Sequence, residues 1–223
     1  MSNSMSRNTI SNSGISNNIS NSIPSNDIPN NPRLRSQSHA HDHASAPART
    51  IDHVVVPGTF DPITLGHLDV ILRAHRMFPR VTVAVACSAN KNGCGTVFSL
   101  DERVRMVQES LHEADVHDIT VLPFEGLLVN FCCTHKAEGV VKGLRAMTDF
   151  EYELQQADLN WRMAKNLESI FVMSNPKYGY VSSSIVREIV RMGADVTSMV
   201  PHAVLAHLDT LRPQQQEQAQ VQE

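Results

Sequence analysis

The ten residues from Gly58 to His67 constrain this chain more than any other stretch. They follow the apolar run Val54–Val56 and precede a helical pattern, so they occupy the turn between a first strand and a first helix. The start of a helix presents unpaired backbone N–H groups and the positive end of its dipole to whatever lies in the turn. The segment also supplies two glycines, two threonine hydroxyls and an imidazole. Together these features predict a phosphate-binding site.

From Ile51 onward, short apolar runs alternate with stretches of helical periodicity. The predicted strands are Val54–Val56, Val81–Ala86, Ile119–Val121, Gly139–Val141 and Ile170–Met173. The predicted helices are residues 68–75, a segment after the capping box Ser99–Glu102, Leu127–His135, Phe150–Ala164, Ser183–Met192 and Pro201–Leu211. Alternation of this kind favours an α/β fold with right-handed crossovers. We therefore expect a Rossmann-like, doubly wound, parallel five-stranded sheet.

We expect one domain, residues 51–211, between two disordered tails. The first 50 residues contain twelve serines, nine asparagines and no aromatic residue. Such a segment cannot bury enough apolar surface to offset the entropy of ordering it. Its alternating His39, His41 and His43 could capture a metal ion, or they could belong to a solvated His-rich tail. Residues 212–223 are rich in glutamine and form the second predicted tail.

Charge and cysteine content exclude several classes of function. The formal net charge of −4 argues against a general nucleic-acid or membrane-surface binder, because such proteins need an excess of positive charge. No apolar run approaches the roughly 20 residues that a transmembrane helix requires. The four cysteines have no CxxC spacing, so we interpret them as reduced thiols. These observations predict a soluble, cytoplasmic protein.

Polar segments follow several of the predicted strands, at the sheet edge where such folds bind ligands. Lys142 and Arg145 come after the fourth strand, and the guanidinium has a planar geometry that suits phosphate. Lys91 comes after the second strand and could hold an anion or act only as a solubilising charge. Val181–Ser184 begins a predicted helix, and its serines could cap that helix or hold a polyphosphate. The loops together describe a site for a polyphosphate substrate.

These motifs resemble those of a known family. Gly58–His67 is similar to the first motif of the nucleotidyltransferase superfamily with the (His/Thr)-x-Gly-His signature, and Val181–Ser184 resembles its second motif. Together with Lys142–Glu153, they resemble the bacterial phosphopantetheine adenylyltransferases over residues 54–211. The resemblance implies transfer of AMP from ATP to 4′-phosphopantetheine, giving dephospho-coenzyme A and pyrophosphate, with Mg²⁺.

The resemblance also implies roles for individual residues. His67 would stabilise the transition state at the α-phosphorus, with Lys91 and Arg145 as further catalytic cations. The acceptor phosphopantetheine would contact Thr59, Lys91, Leu128 and Lys142. ATP would contact Thr59, Phe60, His67, Gly143, Leu144, Arg145, Glu153, Tyr178, Gly179, Tyr180, Val181, Ser182, Ser183 and Ser184. The family resemblance further implies a homohexamer that meets dephospho-coenzyme A or coenzyme A as product or inhibitor.

Two positions depart from the family pattern, and two alternative functions stay open. Lys142 stands where the family usually has arginine, and lysine cannot make a bidentate contact with phosphate. Tyr178 replaces a common tryptophan. One alternative is a nucleotidyltransferase that acts on nicotinate mononucleotide or a polyol phosphate, against which the segment Lys142–Glu153 speaks. The other is a catalytically weak sensor of the same fold that binds a nucleotide or coenzyme A.

Overall fold

The computed structural model describes residues 50–87, 95–145 and 147–212, with the backbone alone at 147–149. Apart from their end residues Thr50 and Arg212, both predicted tails lie outside the described residues, and so do the tract His39–His43 and Lys91. The predictions made for them therefore stay predictions.

Five parallel strands form one sheet. They are β1 His53–Gly58, β2 Arg80–Ala86, β3 Thr120–Phe124, β4 Gly139–Leu144 and β5 Glu168–Met173. The strand order is β3-β2-β1-β4-β5, and all neighbouring strands are parallel. The predicted doubly wound five-stranded sheet is confirmed. Because the winding reverses between β1 and β4, the crevice beyond their carboxyl ends is where a sheet of this kind binds its ligand.

Helices connect the strands and cover both faces of the sheet. They are α1 Leu65–Met77, α2 Leu100–Glu113, α3 Leu128–Thr134, α4 Met147–Met163, α5 Ser183–Arg191 and α6 Leu205–Leu208. The predicted capping box at the start of α2 is confirmed, since Ser99 N–H donates to Glu102 at 2.8 Å and Glu102 N–H donates to Ser99 Oγ at 3.3 Å. None of the helices in the described ranges has the length and apolarity to cross a membrane.

Two helix predictions are wrong in detail. Pro201–Leu211 is not one helix, because 3₁₀ turns at His202–Val204 and Asp209–Leu211 flank the single turn of α6. The buried residues Val204 and Leu208 are four positions apart in the chain. A succession of short helical turns buries two residues at this spacing as well as a continuous helix does. The other helix, α4, begins three residues earlier than Phe150, because the apolar period used to predict it does not extend into its first turn.

Strand β1 is buried on both faces and anchors the turn that follows it. Val54 and Val56 belong to the larger apolar cluster, beneath α1, α2 and α5, while Val55 belongs to a second cluster with Val129 of α3 and Val140 of β4. Successive side chains of a strand point to opposite faces, so three consecutive valines fill both layers. The turn after Gly58 is therefore held by a strand that has little freedom to move.

Candidate active site

Two cavities open beyond the carboxyl ends of β1 and β4. The first has a volume of about 480 Å³ and the second about 380 Å³. Pro57, Gly58 and Lys142 line both, so the cavities share a wall. They lie at the crevice predicted from the strand order. Two compartments with one boundary are suited to two ligands that must meet.

The structure brings most of the residues predicted for the site into these two cavities. The first cavity is lined by Phe60, His67, Lys142, Gly143, Arg145, Glu153 and Val181. The second is lined by Thr59, Leu128 and again Lys142. The wall of the first cavity also contains Thr64, Tyr152 and Ser174, for which the resemblance implied no role.

Other predicted residues lie outside the walls of both cavities. They are Leu144, Tyr178, Gly179, Tyr180, Ser182, Ser183 and Ser184. Leu144 is only 6% exposed, so its side chain packs in the protein interior and leaves only its backbone for a ligand. Tyr180 is exposed beside the site. The three serines occupy the start of α5, next to the cavity wall at Val181.

The side chain of His67 is oriented by the start of α1. Thr64 is the N-cap of this helix, and His67 N–H donates to its hydroxyl oxygen at 3.3 Å. In return Thr64 backbone N–H donates to His67 Nδ1 at 3.1 Å. A backbone N–H can only donate, so Nδ1 is the acceptor and the neutral imidazole carries its proton on Nε2. His67 therefore offers an N–H donor to the cavity that it lines.

Burial in the cavity keeps this imidazole uncharged. Desolvation, and secondarily the positive charge of Arg145, lower the pKa of His67 from 6.5 to about 4. Near neutral pH the side chain is thus a neutral hydrogen-bond donor. Such a donor can stabilise negative charge that develops on a reacting phosphate, but it has no proton to give away as a strong acid.

We expect His67 to stay neutral in the free protein from pH 8 down to about pH 5. The unfolded chain, with an imidazole pKa near 6.5, binds more protons than the folded chain between about pH 4 and pH 6.5, so the free energy of unfolding falls as the pH is lowered through that window. His67→Asn should therefore lose less stability than the parent protein between pH 7 and pH 5, by up to about 2 kcal/mol. Imidazole ¹⁵N spectra, assigned with the same variant, measure the titration directly; a His67 midpoint above pH 6 contradicts the assignment.

The side chain of Phe60 packs against the imidazole of His67. Its ring packs edge-on against His67, with 5.3 Å between ring centroids, and the residue is 3% exposed. A Cβ atom on Gly58 would lie 2.7 Å from Cζ of this ring, so any larger residue at that position would displace the Phe60 ring. The side chain of Phe60 is thus committed to packing, and its backbone remains for contact with a ligand.

A buried carboxylate ties the turn after β1 to two other segments. Asp61 is 3% exposed and accepts hydrogen bonds from Val97 N–H and Phe98 N–H, each at 2.9 Å. Its Oδ2 also lies 3.2 Å from Arg187 Nη1 on α5, and the same guanidinium donates to the Asp61 carbonyl oxygen. The hydroxyl of Ser183 donates to Pro62 O at 2.8 Å. The starts of α1 and α5 are therefore held side by side.

Arg103 fixes the same turn from the interior. Its guanidinium is 1% exposed and donates to Thr59 O at 2.6 Å, Ala86 O at 2.8 Å and Phe98 O at 3.2 Å. The carboxyl ends of β1 and β2 are thus anchored to one buried cation. The sequence alone does not reveal this role, because no local pattern distinguishes Arg103 from the other charged residues of α2.

Charges in the first cavity favour a polyanion. Lys142 and Arg145 supply two cations, and Arg145 Nη1 donates to Val181 O at 3.1 Å, which ties it to the second motif. Glu153 supplies a carboxylate that pairs with Lys142 at 2.6 Å. The positive ends of α1 and α5 add to the excess of positive charge. Ser182 caps helix α5, because its hydroxyl accepts a hydrogen bond from Ile185 N–H at 3.2 Å. Ser184 lies exposed in the first turn of the same helix.

Curated relatives match most of the described chain. The sequence model of the cytidylyltransferase-like family matches residues 55–189. The phosphopantetheine adenylyltransferase of Frankia casuarinae is 46% identical over 154 residues, which is 68% of this chain and 93% of the relative. The enzyme of the same name from Rhodospirillum rubrum is 45% identical over 149 residues, 66% of this chain and 85% of the relative.

Solved structures share the fold at much lower identity. A putative nicotinate-nucleotide adenylyltransferase from Vibrio parahaemolyticus superimposes with a TM-score of 0.53 and 13% identity, covering 71% of this chain and 94% of that one. A bifunctional NMN adenylyltransferase/ADP ribose pyrophosphatase from Francisella tularensis, complexed with AMP and a manganese ion, gives a TM-score of 0.51 and 17% identity, covering 68% of this chain and 44% of that one. At these identities the likeness concerns the fold alone.

Proposed function

The chain belongs to the cytidylyltransferase-like nucleotidyltransferases and, among them, to the phosphopantetheine adenylyltransferases, and we propose that residues 51–211 carry this activity in its two cavities. The reaction transfers the adenylyl group of ATP to 4′-phosphopantetheine and releases pyrophosphate and dephospho-coenzyme A. The observation that carries the proposal is the shared wall at Lys142, with His67 facing the first cavity.

ATP occupies the first cavity, where the positive charge and the two helix starts lie. Arg145, the N-cap residue Ser182 and the first-turn residues Ser183 and Ser184 of α5 hold the phosphates, while Gly143 permits close approach of the nucleotide to the strand end. A Cβ atom at Gly143 would lie 2.7 Å from Val70 Cγ2, so no larger residue fits there unless the side chain of Val70 shifts. Tyr178, Gly179 and Tyr180 flank the nucleotide.

Phosphopantetheine occupies the second cavity. Its apolar wall, which includes Leu128, Leu159 and Met163, suits the extended arm, and the 7% exposed Asn160 offers an amide for the polar groups of that arm. The phosphate end lies at Lys142, with Thr59 and Lys91 as further contacts. Coenzyme A shares this arm with the acceptor and binds the same cavity as an inhibitor.

The acceptor phosphate attacks the α-phosphorus of ATP. A new bond forms between an acceptor phosphate oxygen and the α-phosphorus, and the bond from that phosphorus to the β-bridging oxygen breaks, so pyrophosphate leaves with the bonding electron pair. The second pKa of a phosphate monoester is about 6, so the nucleophile is already a dianion near neutral pH and requires no general base. Rate acceleration therefore rests on positioning and on stabilisation of developing charge by His67 and Arg145.

Mg²⁺ enters this scheme with the nucleotide. Among the described residues there is no group of three or more histidine, cysteine, aspartate or glutamate side chains that could hold a metal ion. The carboxylate in the first cavity, Glu153, is paired with Lys142. This donor set fits a Mg²⁺ ion bound mainly by phosphate oxygens and water, as is usual for ATP-dependent enzymes. The ion would neutralise part of the phosphate charge.

Helix α4 supports assembly into the homohexamer implied by the family. Its described side chains include large apolar ones that face solvent in the single chain and line neither cavity, with Leu154 and Trp161 each about half exposed. Asn160 is its one buried residue among those described. A helix this apolar and this exposed is expected to pack against a second copy. Light scattering should give about six times the chain mass of 24.7 kDa.

We place the enzyme in the cytoplasm, as its cysteine pattern predicts.

The activity is tested by incubating the full chain with ATP, Mg²⁺ and phosphopantetheine and following pyrophosphate release. We expect stoichiometric formation of dephospho-coenzyme A, and no pyrophosphate when nicotinate mononucleotide replaces phosphopantetheine. Binding of ATP without release of pyrophosphate, at protein concentrations where a related enzyme turns over, would favour the sensor function instead.

A further inference from the structure

Lys142 lies on the boundary between the two cavities, and its ion-pair partner, Glu153, lines only the first of them. Of the charged residues described in the cavity walls, Lys142 alone lines both. Glu153, on α4, lines the first cavity and accepts a hydrogen bond from Lys142 Nζ at 2.6 Å. Each of the two side chains is 22% exposed. The ion pair therefore holds the ammonium at the boundary and joins α4 to β4.

We propose that Glu153 is a positioning residue for the acceptor phosphate and acts through Lys142. The proposal rests on the proposed function, which places ATP in the first cavity and the acceptor phosphate at Lys142. A lysine ammonium sits on a flexible four-carbon stem, so without a fixed partner it samples many positions. A short charge-assisted contact with a carboxylate on another element restricts it to one. The family resemblance implies that Glu153 contacts ATP; the proposal instead assigns it to the cation between the substrates, on the basis of its contact with Lys142.

Removal of the Glu153 carboxylate has two opposing effects on the KM for phosphopantetheine. Glu153 partly cancels the charge of Lys142, so its removal strengthens the attraction of Lys142 for the acceptor phosphate. Its removal also frees the ammonium from the boundary. We expect the loss of position to dominate, because the acceptor phosphate must then immobilise a free lysine side chain on binding, which weakens binding by up to about tenfold. The attraction between partly exposed charges, in contrast, is weakened by solvent and salt.

The first test compares two glutamate-to-glutamine changes on α4. Glu153→Gln should raise the KM for phosphopantetheine about tenfold and leave the KM for ATP within about twofold. Glu151→Gln removes the same charge two residues away, at an exposed position. This matched control should leave both constants within about twofold. A KM for phosphopantetheine that is unchanged or lower in Glu153→Gln overturns the proposal, and so does a rise confined to the KM for ATP.

A conservative variant separates position from charge. Glu153→Asp keeps the negative charge but shortens the side chain, so it should also raise the KM for phosphopantetheine. If only charge mattered, this variant would behave like the parent enzyme, and that result overturns the proposal. Thermal unfolding of each variant is measured alongside, and Glu153→Asp also provides the test if Glu153→Gln is not stably folded.

A double-mutant cycle tests whether Glu153 acts through Lys142. In the Lys142→Ala background, Glu153→Gln should change the KM for phosphopantetheine by less than about twofold, because the cation that it positions is absent. Independent, multiplicative effects would overturn the proposal. Failure of the proposed function gives a different result, since the parent enzyme would then release no pyrophosphate at all. An active parent enzyme with an unaffected Glu153→Gln variant overturns only the positioning role.

Discussion

Replacing His67 with alanine should lower turnover by on the order of 10²-fold or more, with little change in the KM for ATP. The imidazole presents Nε2–H to the first cavity because Nδ1 accepts a hydrogen bond from the backbone of Thr64. A donor held in this way gains most in the transition state, when negative charge grows on the oxygens around the α-phosphorus. Steady-state pyrophosphate release at saturating ATP and phosphopantetheine measures the loss.

A histidine elsewhere on α1 provides the control. His75→Ala removes the same side chain from the same helix, at a half-buried position that pairs with Asp118 at 3.4 Å outside the cavities. This variant should keep turnover within about twofold of the parent enzyme. His67→Ala also deletes the acceptor for Thr64 N–H, so its free energy of unfolding should fall by about 1 kcal/mol, which is too little to unfold the protein. Turnover within a few-fold of the parent enzyme would remove His67 from the mechanism.

The second large effect is expected at Asp61. Asp61→Ala should lower the free energy of unfolding by about 3–5 kcal/mol, since it leaves Arg187 without its carboxylate, and the buried Phe98 N–H and the partly buried Val97 N–H without an acceptor. Turnover should fall as well, because the carboxylate holds the start of α5 against the turn that carries His67. Urea unfolding and pyrophosphate release on the same preparations measure the two losses.

An exposed aspartate–arginine pair is the matched control for this prediction. Asp158 and Arg162 lie four residues apart on α4, with 2.9 Å between Oδ2 and Nε, and both side chains are more than half exposed. Asp158→Ala should cost no more than about 0.5 kcal/mol, as is usual for exposed helical pairs. Asp61→Asn keeps the shape of the buried side chain and one acceptor, so its cost should fall between those of the two alanine variants. Equal stability of Asp61→Ala and Asp158→Ala would contradict the role of the buried network.

The strands were predictable because a parallel sheet covered on both faces needs runs of apolar, β-branched residues, and Val54–Val56 and Val81–Ala86 are such runs. The capping box at Ser99 was predictable because it depends on residues three apart. The same spacing relates Thr64 to His67, and it could have indicated the orientation of the imidazole. The closing segment was predicted wrongly, because burial at a spacing of four does not distinguish one helix from three short helical turns in succession.

By itself, the sequence determined the class of fold, the turn that carries His67 and the positive segments that follow the strands, since each of these depends on residues close together in the chain. Only the tertiary structure decided how those segments meet. Asp61 and Arg187 are 126 positions apart, and their contact exists because the strand order places the starts of α1 and α5 beside each other. The division of the site into two cavities, with Lys142 between them and Glu153 as its partner, likewise depends on how α4 packs against β4. Local pattern carries no information about such contacts, because they result from burial of the whole core.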